Sequence, residues 1–191
     1  MTSGARRGLR LVGGCVLAAV APAPVVVAAD YLSLAAAQRA IFPEAGRFDS
    51  VSVQLSAAQR QALEQLAGRQ PPRGRLQVWS VQGESGPLGF FMTDEVVGRQ
   101  DFIDYALGIN VDGTLRAPEI MSYRESHGGE IRNAAWLRQF ARRSDGVRLR
   151  AAIDIRNIAG ATLSAEHVTA GVRYLSALWQ VALRTPVSAA P

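Results

Sequence analysis

The chain has no lysine: all 21 of its basic residues are arginine, which reads as a composition bias and not as a binding signature. It has one cysteine, Cys15, and two histidines, His127 and His167. A single cysteine excludes an internal disulfide, and its place near the N-terminus leaves the rest of the chain without a thiolate for a metal. No G-x-S-x-G, H-E-x-x-H, phosphate-loop or EF-hand pattern is present. No carboxylate pair marks a hydrolase. Asp101 and Asp104 read as the wet face of a strand and not as metal ligands, and no metal site is expected. Internal repeats are absent too.

What remains is an ordinary globular composition behind a targeting segment. The 191 residues are 48% hydrophobic, enough for one domain with its own core and too apolar for a disordered chain. Arg6, Arg7 and Arg10 form a positive start. An apolar run over 11–27 follows, broken by Pro22 and Pro24, and Val27, Ala28 and Ala29 precede Asp30. That layout predicts a signal peptide over 1–29, cleaved after Ala29, and the run is too short and too broken for a lasting membrane anchor. Val12, Gly13, Gly14 and Cys15 loosely resemble a lipobox, although Arg10 leaves little apolar length before Cys15. Cleavage removes three arginines and no acid, so the formal charge falls from +5 to 5 − 3 = +2. Much of the basic character therefore leaves with the signal, and nucleic-acid binding is not expected.

Ser33 is a candidate N-cap for a helix over 34–42, stopped by Pro43. Residues 48–55 alternate as a strand. Ser56 caps a helix over 57–67, with Gly68 as its C-terminal glycine. From position 75 the period changes to two, with strands over 76–81, 89–97, 102–111 and 114–123 and an Asp112-Gly113 turn. The pattern predicts an α+β fold: an antiparallel sheet, or meander, packed with helices in one domain, with one sheet face buried. A helix over 131–142, a strand over 147–153 and a closing helix over 165–183 complete it. The expected divisions are a signal at 1–29, an N-terminal extension at 30–74, a principal domain at 75–185 and a loose tail at 186–191. Trp79, Trp136 and Trp179 read as core, His167 as structural, and the Arg142-Arg143 pair as a solvated helix end.

The chemistry centres on Asn157 to Thr169. Ala159, Gly160 and Ala161 are small and let another surface approach the backbone, and Thr162 places a hydroxyl there. Leu163 follows, and Ser164 is a candidate N-cap for the closing helix. A hydroxyl beside a helix N-terminus sits next to a natural phosphate site.

Gly160-Ala161-Thr162 followed by Leu163-Ser164 resembles the flavinylation motif of the FMN-binding domain family, the covalent-flavin subunits of sodium-translocating NADH:quinone reductases and related electron-transfer complexes. The resemblance implies that Thr162 carries FMN through a phosphoester, made by a separate flavin transferase with FAD as donor. Ala159 and Ala165 stand where many members have serine, and Asp154 stands for the upstream acidic residue. A second patch, Tyr123 to Phe140, is similar to the family's E-T-P-G-x-G-like loop and the W-x-x-Q-F helix after it. Glu125 and Gly128 fit that loop; Ser126 replaces threonine, His127 stands at the proline position, and Gly129 and Glu130 depart. By the same resemblance Glu125, Ser126, His127, Gly128 and Gly129 lie against the flavin ring, where donors raise its potential. A histidine in a polar loop is more often merely solvated, and His127 reads first that way.

The expected function is a periplasmic electron-transfer flavoprotein, on the outer side of the inner membrane, with FMN on Thr162. Its expected partners are the flavin transferase and redox donor and acceptor proteins associated with the membrane. It reads as a redox carrier or an oxidoreductase subunit more than as a stand-alone enzyme. Two alternatives stand beside this: a binding or assembly module of the same fold with no flavin or a non-covalent one, and a flavin reductase acting alone on a small molecule.

Overall fold

The computed structural model describes residues 29–68, 76–124 and 128–184, with Ala29 and Asp30 described by backbone alone. The expected signal segment up to residue 28, Cys15, the loop at 70–74, Glu125, Ser126, His127 and the tail lie outside the described residues.

The centre is an antiparallel sheet of six strands in the order β1-β6-β5-β4-β3-β2. Strands β2 (Arg47–Ser50), β3 (Gln77–Gly83), β4 (Gly86–Val97), β5 (Phe102–Asn110) and β6 (Glu119–Tyr123) run as a meander. The two-residue β1 (Ala29–Asp30) pairs with Tyr123 and Ser122 at the far edge, at the point where the sequence places signal cleavage.

The sheet is covered on both faces, not one. Tyr105, Leu107 and Ile109 of β5 point toward the larger core, shared with Leu63, Val168, Val172 and Leu175 from α2 (Ala57–Ala67) and α4 (Thr162–Leu178). Ala106 points the other way, to a smaller core with Ala37, Ile41 and Phe42 at α1 (Leu34–Ile41). The strict alternation of a strand makes this possible, because successive side chains leave opposite faces. At Gly108 the fit is close: a Cβ there would sit 2.4 Å from Ile41 Cγ2 and 2.8 Å from Phe42 Cε2.

The helix caps follow the sequence. The Ser33 hydroxyl accepts from Ala36 N–H at 3.3 Å, and Ser56 and Gln59 form a capping box. Gly68 ends α2 with a φ of 67°.

Several expected elements differ. The strand expected over 48–55 ends at Ser50, with one further bond from Val51 N–H to Val78 O. Of the strand expected over 114–123, Glu119–Tyr123 forms β6 and Leu115 keeps an isolated antiparallel bridge to Ile109, its own N–H and carbonyl bonding Arg143 O and Arg142 N–H on the other side; Pro118, with no N–H to donate, falls in the gap. The helix expected over 131–142 is broken into a 3-10 turn (Gly129–Arg132), α3 (Ala134–Leu137) and a second 3-10 turn (Arg138–Phe140). Asn133 restarts it, accepting from Ala135 N–H at 2.8 Å. The strand expected over 147–153 is a 3-10 turn, Gly146–Arg148, and a tight bend in which the Asp154 carboxylate accepts from Arg150 N–H at 2.9 Å. The Arg142-Arg143 pair is no loose helix end either. Arg143 donates to Gln139 O and Asp154 O, both at 2.9 Å.

Candidate functional site

Helix α4 begins one turn earlier than expected. Ala165 N–H bonds Ala161 O at 2.9 Å, which makes Thr162 the first helical residue and Ala161 the cap. Ser164 is therefore not the N-cap. It lies inside the first turn, buried, with its hydroxyl 3.4 Å from the Tyr123 hydroxyl. Among the described residues no side chain caps α4. The first N–H groups of a helix lack intrahelical partners, so the positive end of α4 lies beside the Thr162 hydroxyl.

Thr162 is exposed, and its hydroxyl lies 3.5 Å from Ile158 O, at the limit of a hydrogen bond. Gly160 turns the chain at a φ of 84° with nothing within 4 Å of where a Cβ would be. Ala161 is buried and Leu163 is 46% exposed, so the turn is anchored by Ala161 and open on the side of Thr162 and Leu163.

The two patches singled out in the sequence meet. A Cβ on Gly128, whose φ is 89°, would lie 2.4 Å from the Tyr123 hydroxyl and 3.4 Å from Ala161 Cβ. Only glycine fits between the two segments there. Gly129 is exposed and open. The contacts of Glu125, Ser126 and His127 lie outside the described residues. His167 bonds the Val97 carbonyl through Nδ1, tying α4 to the end of β4.

The segment leading into Thr162 is gripped from α3 and the turn after it. Trp136 Nε1–H donates to Arg156 O at 2.6 Å, and Arg156 N–H donates to Gln139 Oε1 at 2.9 Å. Trp136 is buried edge-on against Phe140, with ring centroids 5.2 Å apart. Beside this grip lies an open groove of about 550 Å³, lined by Asn133, Trp136 and Gln139 on one side and 156–159 on the other. That volume falls within the range of about 300–1,000 Å³ usual for small-molecule sites. Asp154 lines a different open cavity, with Arg148, Arg150 and Arg173, and its carboxylate is engaged by Arg150, which holds its pKa below the ordinary aspartate value.

Sequence reasoning missed Tyr123 and Gln139, and saw Trp136 only as core. The W-x-x-Q spacing placed both side chains on one helical face, but nothing in it pointed to residue 156. Among the described residues there is no group of three or more potential metal ligands, and no helix is long and apolar enough to cross a membrane.

Residues 98–176 match the FMN-binding domain family, from the end of β4 through most of α4. The match contains Gly128, Trp136, Gln139, Gly160 and Thr162, so the family resemblance read from these motifs is shown over that segment. No curated protein matches the chain.

Proposed function

We propose that this chain, an FMN-binding flavoprotein over residues 98–176, carries its FMN covalently on Thr162 and passes electrons outside the inner membrane. The observation that carries the reading is the first turn of α4. An exposed threonine hydroxyl stands at a helix N-terminus that no described side chain caps, next to an open glycine turn, with Gly128 of the second motif packed on Ala161. The residues fit the group. The helix end favours the single negative charge of a phosphodiester, and the groove lined by 156–159, just before the Gly160 turn, has the size of a ligand site.

In the attachment step the Thr162 oxygen forms a bond to the FMN phosphorus of FAD. The diphosphate P–O bond breaks, AMP leaves, and the hydroxyl proton passes to a base of the flavin transferase. Thr162 would supply the oxygen, the first N–H groups of α4 would hold the phosphate, and Gly160 would keep the approach clear. The bound flavin supplies the redox chemistry, and the protein positions and shields it. Ala165 is buried in the large core, so the departure from serine there is a packing difference, away from the exposed face of Thr162. Membrane-associated donor and acceptor proteins and an export signal complete the reading.

The test is Thr162→Ala, expressed with an active flavin transferase. The wild type keeps flavin fluorescence through denaturing electrophoresis, and the variant keeps none. Flavin retained by the denatured variant would place the attachment elsewhere.

A further inference from the structure

We infer that Gln139 and Trp136 are positioning residues for Thr162: they clamp Arg156 and so fix the segment that presents the hydroxyl for flavin attachment. The inference rests on the covalent reading above. Both polar groups of one backbone residue are held from one short helical stretch. The Arg156 carbonyl accepts from Trp136 Nε1–H at 2.6 Å, and the Arg156 N–H donates to Gln139 Oε1 at 2.9 Å.

The clamp is itself held. Arg143 donates from Nε to Gln139 O and from Nη2 to Asp154 O, both at 2.9 Å, so it spans from the gripping turn to the gripped segment. Beyond Arg156 the chain is exposed at Asn157, Ala159 and Gly160, and its backbone bond is Ala161 N–H to Ile158 O at 3.0 Å. The turn to Thr162 thus hangs between two fixed points, the clamp at Arg156 and the buried Ala161. With Gly160 at positive φ between them, loss of the first point lets the turn swing about the second. A misplacement of about 1 Å at a reacting atom can cost on the order of a hundredfold in rate. The clamp closes on a surface segment, so its loss acts on the turn more than on the core.

The experiment uses the full chain with an active flavin transferase and FAD. The readout is the initial rate of denaturation-resistant flavin fluorescence. Gln139→Leu, which removes the acceptor, is expected to slow attachment about tenfold, and Trp136→Phe, which removes the donor and keeps an aromatic ring, by a similar factor. Gln139→Glu keeps an acceptor for Arg156 N–H and should recover to within about twofold of the wild type. Should Gln139→Leu fail to fold, Gln139→Asn, one methylene too short to reach, is read in its place. Amide hydrogen exchange on the flavin-free protein should quicken over 156–161 in Gln139→Leu, with α4 beyond its first turn unchanged. A Phe42→Leu variant lowers stability from the far face of the sheet and should attach flavin at the wild-type rate. Attachment at the wild-type rate in Gln139→Leu, or an equal slowing in Phe42→Leu, overturns the clamp alone. A wild type that takes no flavin, when the transferase modifies a control protein, overturns the covalent reading and this inference together.

Discussion

The two faces of the sheet are built differently. Under α2 and α4 the core contains hydrogen-bonded polar groups. The Tyr105 hydroxyl donates to Asp94 at 3.0 Å, and Thr169 and Ser176 bond back to Ala165 O and Val172 O at 2.7 Å. Under α1 the core is aromatic and aliphatic: Phe48 meets Phe42 and Phe91 edge-on, and Trp79 leans on Phe91. Its polar fastening is at the rim, where Arg116 lies over Phe42, donates to Ile41 O and pairs with Glu44. The difference separates two tasks. Buried polar groups demand partners in one geometry, whereas apolar contacts tolerate exchange at similar volume. The exacting face carries α4 and Thr162 and falls largely within 98–176, while α1, β2 and β3 of the other face lie outside that segment.

The comparison breaks first at Phe42. This residue is 1% exposed, and Phe42→Ala should cost about 3–5 kcal/mol, with a large fall in melting temperature. Flavin bound per folded molecule should not change. Covalent flavin lost in proportion to stability would mean that the two faces are not separate.

A matched glycine pair sharpens it. A Cβ on Gly171 of α4 would lie 2.3 Å from the Tyr105 hydroxyl, and one on Gly108 of β5 would lie 2.4 Å from Ile41 Cγ2. Alanine at either should cost about 1–3 kcal/mol through overpacking, or several degrees of melting temperature. Gly171→Ala should also slow flavin attachment, because it lifts the helix that begins at Thr162. Gly108→Ala should not. Equal attachment rates in the two variants would count against the division.

The smallest effect is at the rim. The Arg116 guanidinium beside Glu44 holds its carboxyl below the ordinary glutamate value. A lowered folded pKa means stability that is complete above the unfolded value, about 4.3, and lost as the pH falls through the folded one. Glu44 is about half exposed, so the pair should contribute only about 0.5 kcal/mol at neutral pH. The melting-temperature gap between wild type and Glu44→Gln should close as the pH drops below about 4. A gap that widens on acidification would contradict the sign.

Local signals account for what was legible. Ser33, Ser56 and Gly68 act within their own turns, so α1 and α2 and their caps could be read directly. Alternation and the Asp112-Gly113 turn located the strands. Where competing partners are distant in sequence, reading failed. Leu115 keeps a bridge to Ile109 while the backbone groups on its other side go to Arg142 and Arg143, far along the chain. The motifs at Gly160-Ala161-Thr162 and at Gly128 carry recognisable spacing, and the structure brings the two segments into contact. The Ser164 cap was misread: a serine near a helix start looks like a cap from sequence, and here its hydroxyl meets Tyr123 instead. The clamp on Arg156 was invisible for the same reason.

The most direct measurement is an intact mass of the wild-type protein, expressed with its export signal and an active flavin transferase. The account predicts a species heavier by about 438 Da, one FMN joined with loss of water, and a single modified peptide containing Thr162. An unmodified mass beside a flavinylated control protein, or an adduct on any other residue, would contradict it.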